Sequence, residues 1–203
     1  VSSHLDDQDA VEPLVDFFHA ASAVRHLRQT TVGLMGYPFP GMGDFAVDTT
    51  HLAATLGCSW EQIAMSDYLQ RTRNGDAEDV NELLHEYRSS YEVPEELSQD
   101  DLAATARAEL ALRAVVEDHS LDAFTYQFQA FGEEEDAETV PFVGISRLMA
   151  EGVGFGGEGD IVGAAGTAFL HALQPPATFS EIFTTDFEGD ALFMSHMGEA
   201  NPA

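Results

Sequence analysis

Helical stripes alternate with short β-rich runs along the first third of the chain, and this alternation limits the possible folds more than any other feature. Apolar residues recur at helical spacing from Gln8 to Arg28, and the β-rich run Thr30–Met35 follows. A second helical segment, Thr49–Leu56, precedes Gly57 and a second β-rich run, Ser59–Met65. Because helices between short buried strands cover both faces of a parallel sheet, we predict an α/β fold with a doubly wound, mostly parallel sheet and flanking helices.

The alternation of helices and strands continues along the chain. Five further helices are predicted, in this order: Asp67–Arg73, Asp76–Tyr91, Ser98–Asp118, Pro141–Ala150 and Asp160–Leu173. Ser98 and Asp101 form a candidate capping box with aspartate in place of glutamate, and Asp9 is a possible cap of the first helix. Leu121–Phe128 is the third predicted strand, whereas the glycine-rich segment 152–159 is a predicted loop.

The periodicity changes near the C-terminal end. Apolar and polar residues alternate with a period near two in the runs 178–187 and 191–196. The intervening segment 188–190 suits a turn, so we predict an antiparallel pair that begins a β unit. The sequence therefore divides into a central α/β domain, residues 1–173, and the first strands of an incomplete C-terminal β domain, residues 174–203.

The charge of the chain is strongly negative, with 36 Asp and Glu residues against 8 basic residues, all of them arginine. A net charge of -28 argues against nucleic acid and anionic membranes as partners, because both need a positive surface. Two interpretations of the charge remain: adaptation to high salt, where screening relieves the repulsion between carboxylates, or an ordinary acidic protein. The absence of lysine favours salt adaptation, because ordinary acidic proteins keep their lysines.

Cys58 is the single cysteine of the sequence. An intrachain disulfide is therefore impossible, and we expect a reducing, cytoplasmic location. Cys58 is expected to pack as a small buried apolar side chain, and a nucleophilic role is the weaker alternative. The sequence contains neither a signal-peptide pattern nor an apolar run long enough for a membrane span, so we expect no leader and no membrane partner.

Two carboxylates and one histidine follow in the last quarter of the chain: Glu158, Glu181 and His196. Mixed carboxylate and imidazole ligands suit divalent ions such as Mn²⁺. Glu158 is expected to open a helix, whose positive end keeps a carboxylate ionised, and Glu181 and His196 lie on adjacent predicted strands. The alternative is a histidine satisfied in the core beside two surface glutamates, and the spacing alone favours this alternative.

Two glycine-containing segments are candidate ligand loops. Gly36–Asp44 follows a predicted strand, where α/β folds place ligand loops. Two interpretations stay open: a loop that contacts a substrate or a neighbouring subunit, and a structural crossover. Gly152–Gly157 matches the letters of a dinucleotide fingerprint, but it follows a predicted helix rather than a strand. We therefore do not interpret Gly152–Gly157 as a nucleotide site, and a chain without lysine cannot form a phosphate-loop lysine contact.

Four segments resemble the L-arabinose isomerase family, within the arabinose/fucose isomerase group: Phe124–Phe128, Ile145–Asp160, Phe179–Phe187 and Ser195–Met197. A looser similarity extends over residues 10–120, so the resemblance covers most of the chain. It implies a metal-dependent aldose–ketose isomerase that transfers a proton between C1 and C2 of a small sugar. It also implies a homo-oligomer, which the open edges of an incomplete β unit favour independently.

The resemblance also assigns roles to individual residues. It implies that Glu158, Glu181 and His196 bind Mn²⁺, or another divalent cation, together with one further histidine. It implies that the two glutamates transfer the proton and that Phe128 lines the sugar pocket.

The chain departs from the family in several places. The further histidine and the N-terminal domain have no counterpart here, so we expect a fragment that is inactive on its own. Ile161–Val162 stands where the family has tryptophan and lysine, the run Met197–Pro202 differs from the family's Met-Leu-Glu-Val-Cys-Pro, and the loop Pro38–Gly43 is unlike that of the family. Two alternatives therefore stay open: an isomerase of another sugar, such as a fucose-type sugar, and a non-catalytic sugar-binding or structural module on the same fold.

Overall fold

The computed structural model describes His4 and residues 8–132 and 137–203. The acidic segment 133–136, for which the sequence predicts a solvated loop, lies outside the described residues. The main sheet is formed by four strands: β1 (Thr31–Met35), β2 (Ser59–Ile63), β3 (Ala123–Tyr126) and β4 (Gly154–Gly156). All its strand pairs are parallel, in the order β2-β1-β3-β4. A separate antiparallel pair is formed by β5 (Glu181–Asp186) and β6 (Ala191–Ser195), so the predicted fold class is confirmed.

Helices cover both faces of the parallel sheet. The described residues form eight α-helices: α1 (Val11–Leu27), α2 (Thr49–Leu56), α3 (Met65–Arg73), α4 (Ala77–Ser90), α5 (Gln99–Asp118), α6 (Phe128–Gly132), α7 (Phe142–Ala150) and α8 (Ile161–Leu173). Helices α3, α5 and α7 bury one face of the sheet, around Leu112, Phe124 and Phe155. Helices α2 and α8 bury the other face around Val32 and Ala164. The sheet is therefore apolar on both sides, as parallel sheets require.

The strand order reverses its direction at β1. The chain passes from β1 to β2 in one direction and then crosses β1 to continue with β3 and β4 in the other. In sheets of this kind, ligands bind beyond the carboxyl ends of the strands, at the point where the direction reverses. Three segments follow strands at this carboxyl end of the sheet: 36–44 after β1, 127–128 after β3 and 157–160 after β4.

Strand β4 corrects the sequence interpretation, which predicts a loop over residues 152–159. Glycine is rare in strands in general. Here glycine is required, because a side chain on Gly154 would not fit. A Cβ atom built on Gly154 would collide with the backbone oxygen of Ala164 and lie 2.6 Å from the backbone nitrogen of Ala168. The glycines of this segment therefore allow α8 to pack its backbone directly on β4.

Several predicted helix ends are confirmed, and two are wrong. Ser98 and Asp101 form the predicted capping box of α5. The N-cap residue of α1 is Ala10 rather than the predicted Asp9, and Ala10 makes no side-chain capping hydrogen bond. Glu158 does not open α8, since that helix begins at Ile161 and its cap is Asp160, which accepts a hydrogen bond from the backbone of Gly163 at 2.9 Å.

The other expectations for single elements have mixed outcomes. Cys58 is buried in the core, as predicted, and burial raises the pKa of its thiol, which disfavours a nucleophilic role. The third strand ends at Tyr126 rather than Phe128, because Phe128 begins α6. Helix α1 packs against α8 and leaves Phe17 and Phe18 exposed. No helix among the described residues is both long and apolar enough to cross a membrane.

Candidate functional site

Glu158 lies in a tight turn directly after β4. Its backbone has a φ of 60°, in the left-handed region that non-glycine residues seldom adopt. The turn is held by the segment that follows β1, where the backbone N–H of Phe39 donates to the carbonyl oxygen of Glu158 at 3.0 Å. A Cβ on the neighbouring Gly159 would lie 2.7 Å from the Cα of Pro38. The 36–44 loop therefore packs against the Glu158 turn and fixes its path.

His196 follows β6, and its ring is enclosed by the same region of the molecule. The rings of Phe179 and His196 meet edge to face with centroids 4.8 Å apart. A Cβ on Gly157 would lie 2.8 Å from Cε1 of His196. The hairpin β5–β6 and the turn after β4 thus meet at the imidazole, which joins Glu158, Glu181 and His196 into one neighbourhood.

Both nitrogen atoms of the His196 ring face carboxylates. Nδ1 lies 3.2 Å from Oε2 of Glu181, and Nε2 lies 2.9 Å from Oε2 of Glu199. The hydrogen bond with Glu199 raises the pKa of His196, with a further contribution from Glu181, and these effects exceed the opposing effect of burial. The contact with Glu181 agrees with the placement of these two residues on adjacent predicted strands.

Sequence reasoning missed Glu199 and its partner. Glu199 is buried, and its other carboxylate oxygen accepts a hydrogen bond from the hydroxyl group of Tyr126, at the end of β3. Burial raises the pKa of Tyr126 well above its ordinary value, and the charge of Glu199 raises it further, so the phenol stays protonated. The sequence could have pointed to Glu199, because it lies three residues after His196 and a glycine in between allows a sharp turn. Its partner Tyr126 lies far away in the sequence, so the pair could not be derived.

The neighbourhood carries an excess of negative charge. Burial raises the pKa of Glu158, and the charge of Glu181 raises it further. Burial is also the main cause that raises the pKa of Asp160, with smaller contributions from Asp44 and Glu181. The charge of His196 opposes this effect at Glu158, but it does not outweigh burial and the neighbouring carboxylates. A cation would relieve this repulsion.

The donor atoms have the chemistry of a divalent-cation site, although they are not arranged as a complete ligand set. Carboxylate oxygens and an imidazole nitrogen suit Mn²⁺ and similar ions. Over residues 8–132 and 137–203, no group of three or more such side chains has the arrangement of metal ligands. Instead, each ring nitrogen of His196 lies within hydrogen-bonding distance of a glutamate carboxylate.

Phe128 lies at the carboxyl end of the sheet, where a pocket residue is expected. Its side chain is 39% exposed, and its ring centroid is 6.1 Å from that of Phe39. Phe39 belongs to the loop that contacts Glu158. The two rings form an apolar wall next to the Glu158 turn, while the contact of Phe128 with a sugar stays a prediction.

Comparison with known proteins gives a consistent result. The family model described as "L-arabinose isomerase central domain" matches residues 42–174. The L-arabinose isomerases of Anoxybacillus flavithermus and Geobacillus kaustophilus are each 31% identical over 214 aligned residues, which cover 100% of this chain and 42% of the relative. The L-arabinose isomerase of Thermotoga neapolitana is 29% identical over 79% of this chain and 32% of the relative. The chain thus spans less than half the length of these relatives.

Proposed function

Because the chain belongs to the L-arabinose isomerase family, we propose that it carries part of the active site of a divalent-metal-dependent aldose–ketose isomerase. The proposed substrate is L-arabinose or a similar small aldose. The observation that carries the proposal is the contact of a Glu181 carboxylate oxygen with Nδ1 of His196 at 3.2 Å, with the imidazole packed against the turn that carries Glu158 at the carboxyl end of the parallel sheet.

Glu158, Glu181 and His196 are the proposed ligands of Mn²⁺ or a similar divalent ion. When bound, such an ion would polarise two neighbouring oxygen atoms of the sugar and favour negative charge on them. The protein supplies two carboxylates and one imidazole for this purpose, which leaves part of the coordination sphere for substrate oxygens and for ligands from elsewhere in the enzyme.

The proton transfer is assigned to the two glutamates. A carboxylate takes the proton from C2 of the aldose and returns it to C1, while a hydroxyl proton moves from the oxygen on C2 to the oxygen on C1, so no external oxidant or reductant is needed. Burial and the charge of Glu181 raise the pKa of Glu158. A raised pKa brings a carboxyl group closer to the operating pH, where a group that both accepts and returns a proton is most effective.

The apolar wall of Phe39 and Phe128 is the proposed boundary of the sugar pocket. The rings lie on the side of the Glu158 turn where the loop after β1 meets the end of β3. Ile161, where the resemblance implies a tryptophan in the family, is the first residue of α8 and is buried in the core. The sugar that this pocket prefers is best identified by measuring kcat/KM for a panel of aldoses that includes L-arabinose and fucose-type sugars.

The substitution Glu158→Gln in the complete enzyme tests the catalytic role. It keeps the size of the side chain and removes the group that accepts the proton, so kcat is expected to fall by about 10²–10⁴-fold. Glu188→Gln is the matched control, because Glu188 lies exposed in the turn between β5 and β6 and away from the imidazole. Full turnover by Glu158→Gln would contradict the assignment.

A further inference from the structure

Glu199 is an unusual residue for its surroundings. It is 4% exposed, and the described residues contain one other buried acid, Glu109, which is 0% exposed. Glu109 is neutralised by Arg113 at 2.8 Å and Arg147 at 2.9 Å. Among the described residues, the contacts of Glu199 are instead the hydroxyl group of Tyr126 and Nε2 of His196. Because a buried carboxylate is costly unless it is paired, the pairing of Glu199 depends on the imidazole.

The backbone turns sharply to bring Glu199 under the histidine. Gly198 has a φ of 107°, a conformation that L residues with side chains rarely adopt, and a Cβ there would lie 3.0 Å from the ring of Phe142. Met197 is 89% exposed at the outside of this turn. Beyond Glu199, the side-chain amide of Asn201 donates to the carbonyl oxygens of Met149 at 3.1 Å and Ala177 at 2.7 Å. The chain beyond Glu199 is therefore anchored by Asn201.

The two ends of the imidazole face different environments. Nε2 points toward buried Glu199, whereas Nδ1 lies beside Glu181, whose side chain is 46% exposed. Phe179 and the backbone at Gly157 enclose the ring. Exchange of the two nitrogen positions would require the ring to rotate against these contacts.

We infer that Glu199, held in place by the Tyr126 hydroxyl group, is a positioning residue that accepts the Nε2–H hydrogen of His196 and leaves the Nδ1 lone pair facing Glu181 and the cation. A histidine that binds a metal commonly donates its other N–H to a carboxylate, which fixes the tautomer and the ring orientation. The inference rests on the proposed function for the identity of the cation, but the tautomer of the ring is a property of the metal-free chain.

The first experiment measures the tautomer directly. We would label the histidines with ¹⁵N and record the ring nitrogen shifts of His196 in the metal-free chain, at a pH at which the ring is neutral. The wild type is expected to carry its proton on Nε2. Glu199→Gln weakens the acceptor, and Tyr126→Phe releases it, so both variants are expected to show an increased fraction of protonated Nδ1. Glu188→Gln is the control and is expected to keep the wild-type spectrum.

The second experiment measures Mn²⁺ affinity for the same four proteins. Loss of a carboxylate that orients a ligand typically lowers metal affinity by about 10–100-fold, and this loss is expected for Glu199→Gln but not for Glu188→Gln. Thermal unfolding without metal shows whether each variant keeps its fold. If Glu199→Gln has lost its fold, Tyr126→Phe decides the outcome, and the reverse holds if Tyr126→Phe has lost its fold.

The two experiments separate the inference from the proposed function. A wild-type ring protonated on Nδ1, or an unchanged tautomer in both Glu199→Gln and Tyr126→Phe, overturns the positioning role even if Mn²⁺ binds. A wild-type chain that binds no Mn²⁺ argues against the metal site of the proposed function, and the tautomer measurement then decides the positioning role independently.

Discussion

The space around the His196 ring is filled by neighbouring atoms. A Cβ on Gly157 would lie 2.8 Å from Cε1 of His196 and 3.0 Å from Cε1 of Phe179. Gly157→Ala is therefore expected to displace the imidazole, to cost about 1–3 kcal/mol of unfolding free energy and to weaken cation binding. Urea unfolding and a Mn²⁺ titration measure the two effects.

The matched control for this substitution lies in α8. A Cβ on Gly166 would have no neighbouring atom within 4 Å. Gly166→Ala is therefore expected to stabilise the helix by about 0.5–1 kcal/mol and to leave cation binding unchanged. If Gly157→Ala instead stabilised the protein and left cation binding unchanged, as expected for Gly166→Ala, the result would contradict close packing of the imidazole against Gly157.

Single residues of the site differ in how far the sequence could predict them. Glu181 pairs with Ser195 in the hairpin register, and His196 is the next residue, so the predicted pairing of these two runs brings Glu181 close to His196. Glu199 and Tyr126 could not be paired from local patterns, because a turn and a core strand meet only in the tertiary structure. The left-handed backbone of Glu158 was also missed, since its conformation depends on contacts with the distant 36–44 loop.

Helices α5 and α7 are joined by a charged contact that makes stability depend on pH. Arg113 donates through both terminal nitrogens to Glu151 at 2.7 Å, and this interaction is the largest cause that lowers the pKa of Glu151. A carboxyl group with a lowered pKa in the folded state stabilises the protein above its unfolded pKa, and this stabilisation is lost as the pH falls through the folded pKa.

Glu151→Gln tests this contact. At neutral pH the variant is expected to lose up to about 1 kcal/mol, because the pair is half-exposed, and the difference from wild type should disappear as the pH falls below the ordinary range of glutamate. Unfolding free energies measured across this range provide the test. A difference that stayed constant down to acidic pH would assign the effect to packing. Glu188→Gln, which removes one acidic group at an exposed turn position, is the matched control.

Elements with a clear periodicity were predicted well, whereas those determined by packing were not. Helix α5 begins with its capping box and β1 lies within its predicted run. Strand β4 was missed because its sequence, Gly-Phe-Gly, has little strand propensity, and close contact with α8 overrides that preference. The hairpin leaves apolar residues exposed, such as Phe183 at 74% exposure. Local patterns predict the two strands but not which surfaces pack against them.

The charge of the whole molecule sets its response to salt. With 36 acidic residues against 8 arginines, repulsion between carboxylates opposes folding at low ionic strength. The Debye length falls from about 10 Å at ~0.1 M salt to about 3 Å at ~1 M, so we expect the melting temperature to rise with KCl. Each ~1 kcal/mol of relieved repulsion raises the melting temperature by about 2–4 °C for a chain of this size.

Thermal unfolding in KCl, with sucrose of equal osmolality as the control, distinguishes screening from general exclusion of solutes. Salt adaptation predicts a larger increase of the melting temperature in KCl than in sucrose. Equal melting temperatures at low and molar KCl would contradict salt adaptation and leave an ordinary acidic protein.

The most direct test of the proposed site is Mn²⁺ binding by this chain in molar KCl, measured from the electron paramagnetic resonance signal of free Mn²⁺. Wild type and Glu188→Gln are expected to bind the ion with equal affinity, and Glu181→Gln is expected to bind it more weakly, because Glu181 is the carboxylate beside Nδ1 of His196. Absence of binding by the wild type, or equal binding by all three proteins, would contradict a cation site formed by Glu158, Glu181 and His196.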